Sequence, residues 1–154
     1  MRLSTAVILF VAFASPAVAQ STPDVHVPPL EFTAGVSIEH KNAGAVASIA
    51  GNLTRNVAVL GEACQSSDGT SLLAGARVGT SFYYDGRPPV PGRFFVQIMA
   101  GRSIVQPGAG ADVVILPHAG ISLHWSVDYR WIHGGAPDRS GARLVVGILV
   151  GPRT

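Results

Sequence analysis

The sequence predicts an all-β fold: eight antiparallel strands in up-and-down order, closed into a barrel. Three observations carry this. Apolar and polar residues alternate with period two along much of the chain, the signature of strands with two unlike faces. Turn residues interrupt the alternation at seven points. No segment of helical length carries a 3.6-residue apolar stripe. Eight strands of about ten residues, separated by short connections, match the length at which a tilted strand crosses a bilayer. The fold class is therefore an eight-stranded antiparallel up-and-down transmembrane β-barrel.

The chain has 154 residues, room for one domain. Residues 1–19 read as a cleaved signal peptide. Arg2 supplies a positive n-region, Ala6 to Ala14 is an apolar core, and Ala17-Val18-Ala19 is an A-x-A cleavage site. The apolar run falls short of the ~20 residues a membrane-spanning helix needs. Residues 20–29, with Pro23, Pro28 and Pro29, read as an extended tail, and residues 30–154 as the barrel domain.

The first strand sets Leu30, Phe32, Ala34, Val36 and Ile38 against Glu31, Thr33, Gly35, Ser37 and Glu39. Weaker alternations follow over Ala45 to Leu53 and Val57 to Ala63. Leu72, Ala74, Ala76 and Val78 mark a fourth strand, and Val96, Ile98 and Ala100 a fifth. A weaker sixth runs from Ala109 to Ile115. The seventh sets Ile121, Leu123, Trp125, Val127, Tyr129 and Trp131 against Ser122, His124, Ser126, Asp128 and Arg130, and the eighth covers Ala142 to Val150. Between them lie Lys41-Asn42, Asn52 to Asn56, Gln65 to Gly69, Asp85 to Gly92, Arg102 to Gly108, Pro117 to Gly120 and His133 to Gly141.

Composition narrows the setting. Charged residues are 13 %, mean hydropathy is +0.35, and the formal net charge is +2. The chain is too apolar for intrinsic disorder, and its glycines lack the collagen period. Ten of the eleven basic residues are arginines scattered singly, so no basic patch suggests nucleic acid. The single cysteine, Cys64, forms no internal disulfide.

The charges decide which face points outward. Glu31, Glu39, Glu62, Asp112 and Asp128, with Arg77, Arg93, Arg130 and Arg143, fall on the polar faces, and the apolar faces are almost uncharged. A soluble barrel puts its apolar face inside; a membrane barrel puts it outside, with aromatics at the interfaces. Phe32, Phe82, Tyr84, Phe94, Tyr129 and Trp131 fall near strand ends, and the mature chain has one lysine, Lys41. The nine charged residues are thus expected to line the interior and to pair, since an isolated desolvated charge costs several kcal/mol.

Chemical motifs are few. His124, Ser126 and Asp128 share one strand face, but successive members stand ~6.8 Å apart with the serine in the middle, a poor triad. His26, His40, His118, His124 and His133 show no strand-chelating spacing. Gly108 to Val113 lacks the third glycine and the helix of a dinucleotide loop. Asn52-Leu53-Thr54 reads as a turn despite matching a glycosylation sequon, and Cys64, near a loop, has no basic partner set by sequence. No cofactor, metal or catalytic role is expected.

Leu73-Ala74-Gly75-Ala76-Arg77, Gln106 to Val113, Val127-Asp128-Tyr129-Arg130, and Ala142-Arg143-Leu144 running into Gly147 together resemble the outer-membrane protein β-barrel domain family, the small OmpA/OmpX-like barrels. The likeness covers Leu30 to Val150. It implies a bacterial outer-membrane location, both termini in the periplasm, and insertion by the barrel-assembly machinery among membrane lipid. It implies no reaction. The family's terminal pattern R-x-x-x-G-x-x-F-x-F is met at Arg143 and Gly147 but not at Val150 and Pro152. The expected role is structural or surface-interacting, with an unknown surface ligand. A narrow pore or transporter of small solutes, and a soluble periplasmic barrel binding a small apolar ligand, are the alternatives.

Overall fold

The computed structural model describes residues 28–39, 42–67, 69–84, 90–133 and 140–151. The expected leader, residues 20–27 of the expected tail, Lys41 and Pro152 lie outside them. The described chain forms eight strands: β1 (Leu30–Glu39), β2 (Asn42–Asn52), β3 (Val57–Ser66), β4 (Gly69–Tyr84), β5 (Val90–Ala100), β6 (Ile104–Leu116), β7 (Ile121–Ile132) and β8 (Gly141–Val150). Each pairs antiparallel with the next, and β8 pairs with β1, closing the barrel.

Several strands run longer than the sequence pattern indicates. The expected gap at Arg102 to Gly108 is a correction: β6 begins at Ile104 and runs through Pro107. Likewise β5 begins at Val90, β3 reaches Ser66, β4 resumes at Gly69, and Asn42 opens β2. Gly and Pro mark turns by propensity, but here register with both neighbours overrides propensity. Pro107 pairs with Ile98 of β5, whereas the ladder to β7 omits Gln106 and Pro107 and resumes at Gly108↔Asp128 in unchanged register. A residue without an N–H leaves such a gap. Cys64 also lies inside a strand, buried, rather than near a loop.

Register fixes the stagger. Cross-strand partners can be followed from Asn52, whose N–H bonds the Pro29 carbonyl, through Ala58, Arg77, Gln97, Gly108 and Asp128 to Arg143. Arg143 then meets Glu39 on β1, ten residues beyond residue 29 (39 − 29 = 10). A closed sheet needs this shear, and its strands tilt by roughly 35–45°.

Period two then sorts every strand into an inner and an outer face. On β7 the outer face is Ile121, Leu123, Trp125, Val127, Tyr129 and Trp131. The outer positions of all eight strands carry no charged side chain; Gln65, Thr70 and Thr80 are among their few polar groups. Leu72 is 71 % exposed and Ile98 56 %, values that belong to an outer wall and not to a core. The ten residue steps from Ile121 to Trp131, at ~3.4 Å each and tilted, make an apolar band about 25 Å tall.

Turns group at two ends. Pro28, Gly151, the connections Leu53–Asn56 and Pro117–Gly120, the end of β4 and the start of β5 lie at the terminal end. Pro117–Ala119 forms one 3₁₀ turn, and Gly120 leaves it at φ +66°, a left-handed conformation glycine adopts without penalty. At the far end lie Gly101–Ser103, the ends of β1, β3 and β7, and the starts of β2, β4 and β8.

Candidate functional site: the charged interior

The interior is built from spiral rows of cross-strand neighbours. One row runs Arg77, Gln97, Gly108, Asp128, Arg143, Glu39 from β4 round to β1. Arg77 donates to Gln97 Oε1 (3.0 Å from Nη2), and Gln97 Nε2 donates to Asp128 Oδ1 at 3.0 Å. Arg143 Nη2 donates to Asp128 Oδ2 at 3.1 Å, and Ser126 Oγ donates to the same oxygen at 3.2 Å. Gly108 stands between Gln97 and Asp128, and a Cβ there would collide with Asp128 Oδ1. The glycine is the gap through which the two side chains meet.

A second row runs Arg93, Asp112, His124, Gly147, Gly35. Arg93 donates through Nε and Nη2 to Asp112 Oδ2, at 3.2 and 2.8 Å. Its Nη2 also reaches Glu31 Oε2 across the interior at 2.7 Å. Asp112 Oδ1 lies 2.6 Å from His124 Nδ1. Between these rows lies Phe95, whose cross-strand partners are Gly79 and Gly110 and whose ring lies against Gly110. The Arg77 guanidinium lies over its ring at 3.9 Å from the centroid, and the His124 ring stacks at 5.4 Å. Arg77 links the rows, with Nη1 3.8 Å from Asp112 Oδ2.

The remaining charges sit toward the far end. Arg130 pairs with Glu39 (3.0 Å) and donates to Gln106 Oε1 at 3.3 Å. Arg143 Nη2 approaches Glu62 Oε1 at 2.8 Å, an ion pair without an aligned hydrogen bond. All nine charged side chains therefore face the interior, and each has an oppositely charged partner. They form one linked cluster at the terminal end, a second of Arg143, Asp128 and Glu62 joined to it through Gln97, and a separate Arg130–Glu39 pair toward the far end.

Several contributors lie outside that charged set. Gln97 carries the bridge, Gln106 is wholly buried, His124 holds Asp112, and Phe95 separates the rows. Gln106 was hidden because Pro107 and Gly108 read as a turn. Part of the interior is also apolar: Ala50, Ala58, Leu60, Leu73 and Met99 form one cluster, and Val46, Cys64 and Val145 another. Cys64 Sγ lies 3.5 Å from Ser37 Oγ. His124, Ser126 and Asp128 do not form a triad: the imidazole bonds Asp112, and Ser126 bonds Asp128.

A cavity of about 10 Å³, the size of one water, is lined by Thr33, Ser48, Glu62, Arg77, Gln97 and His124 on its polar side. Among the described residues no group of three or more His, Cys, Asp or Glu side chains could hold a metal ion.

The fold and interior define a class, the closed eight-stranded transmembrane-type barrel with an apolar outer wall. A de novo designed transmembrane β-barrel shares the fold, with a TM-score of 0.55 and 15 % identity over 81 % of this chain and 97 % of that one. The backbone structure of the Yersinia pestis outer membrane protein Ail in a phospholipid bilayer nanodisc also matches, with a TM-score of 0.42 and 12 % identity over 80 % of this chain and 99 % of that one. No known family profile and no curated protein sequence matches the chain.

Proposed function

We propose that this protein is a small bacterial outer-membrane barrel of the OmpA/OmpX-like kind, with a structural or surface-interaction role and no catalytic one. The observation that carries the reading is the outer wall: no outward-facing position of any strand is charged, over a height that fits hydrocarbon. A soluble barrel with that wall would aggregate. The paired charges and apolar clusters fill the interior, which favours a scaffold over a pore. Any partner would be met at the connecting loops, since they vary without disturbing the barrel.

Two measurements test this. After carbonate washing, the protein stays with the membrane fraction; release into the wash would support the soluble alternative. In planar bilayers the purified barrel gives no stable single-channel conductance; regular open events would support the pore.

A further inference from the structure

The far-end rim carries an exposed cation at the edge of the apolar band. β5 and β6 are joined by the tight turn Gly101–Ser103, closed by the Gly101 N–H on the Ile104 carbonyl (2.8 Å). Arg102 at its tip is exposed and has no hydrogen bond or ion pair with any described residue. The His133 N–H bonds the Ser103 carbonyl at 2.8 Å, bringing the end of β7 beside this turn. There the Trp131 and His133 rings stack, with centroids 5.8 Å apart. Below them Val105, Pro107, Val127 and Tyr129 continue the apolar wall. The acid of this rim among the described residues, Glu39, turns inward to Arg130, so no described acid faces Arg102.

Tryptophan favours the water–hydrocarbon interface, and a cation at that level is attracted to the phosphates of an anionic surface. Zwitterionic headgroups cancel most of that attraction with their own cation. We propose that Arg102, with the Trp131–His133 stack, forms a docking site for an anionic, phosphate-bearing lipid headgroup whose acyl chain lies along the β6–β7 wall. This rests on the membrane reading above.

The two tryptophans of the chain, Trp125 and Trp131, both lie on the outer face of β7, at different heights. Quenching by brominated lipid therefore separates the two claims. The variant Trp131→Phe leaves Trp125 as reporter: quenching by lipid brominated midway along its chains is expected, and its absence would overturn the membrane reading itself. The variant Trp125→Phe leaves Trp131. In vesicles of equal phosphatidylglycerol and phosphatidylcholine, bromine is placed on one class at a time. Quenching should report a local enrichment of phosphatidylglycerol of about two- to fivefold. Arg102→Gln should abolish the preference, and Arg102→Lys should keep it. Equal quenching by the two classes, or a preference that survives Arg102→Gln, would overturn the proposal while leaving the membrane reading intact.

Discussion

At the scale of single residues, neighbours one position apart on a strand live in opposite solvents. Ile98 faces outward and Gln97 inward, on the same turn of the same strand. Ile98→Arg places a cation in hydrocarbon and should cost ~2–4 kcal/mol. Gln97→Ser loses the bonds to Arg77 and Asp128 and should cost about 1–2 kcal/mol. Denaturant titrations in lipid check the order, and a costlier Gln97 change would place the apolar face inside. Gly108 is the sharper case. Its Cβ would take the place of Asp128 Oδ1, so Gly108→Ala must push that carboxylate off Gln97 and Arg143. Disturbing a buried, charge-assisted contact of this kind should lower stability by about 2–4 kcal/mol, read in the same titrations.

At the scale of elements, what could be read beforehand was parity. Strands β1 and β7 alternate cleanly because one face meets apolar surroundings and the other a charged interior, so their extent was visible to within a residue or two. Strands β2 and β3 alternate weakly because their inner face is itself apolar at Val46, Ala50, Ala58 and Leu60. The start of β6 was invisible, since Pro107 and Gly108 are turn formers locally and become strand residues only between β5 and β7. Parity showed which charges share a face. It could not show which meet, because that depends on the stagger and on glycine gaps that have no pattern of their own. The last strand, β8, ends at Val150, the position where the terminal pattern of the family it resembles has an aromatic. Replacing Val150 and Pro152 with phenylalanine is expected to raise the membrane-inserted fraction without changing the fold. An unchanged or smaller fraction on quantitative fractionation would show that this terminus is not a weakened assembly signal.

At the scale of the whole molecule, the even number of strands puts Pro28 and Gly151 on one rim, beside the connections Leu53–Asn56 and Pro117–Gly120. If that rim faces the periplasm, an epitope inserted at Ala136 is labelled on intact cells and one at Pro89 is not. The reverse pattern would invert the orientation, and with it the leaflet in which Arg102 meets lipid. The rigidity of the whole depends on both ionic clusters together. Each is anchored on strands far apart in sequence, as when Arg93 of β5 reaches Glu31 of β1. Losing either cluster should therefore loosen several strand pairs and not one.

The closure of β8 on β1 has a consequence for chain connectivity. Gly35 and Gly147 meet across that seam though 112 positions separate them (147 − 35), and Gly151 packs against the Pro28 ring. Where the polypeptide begins is thus a matter of covalent history more than of architecture. A circular permutant that joins residue 151 to residue 28 through a short linker, and opens the chain within 134–139, retains every strand pair. What it changes is kinetic: the seam becomes a local hairpin, and the β7–β8 pairing becomes the long-range closure. Because folding slows as contacts grow more distant along the chain, the permutant should reach the same folded band on a gel run without heating, with the β7–β8 pairing now forming last. Failure to reach that band would mean that the order of synthesis, and not the finished register alone, is needed to close the barrel.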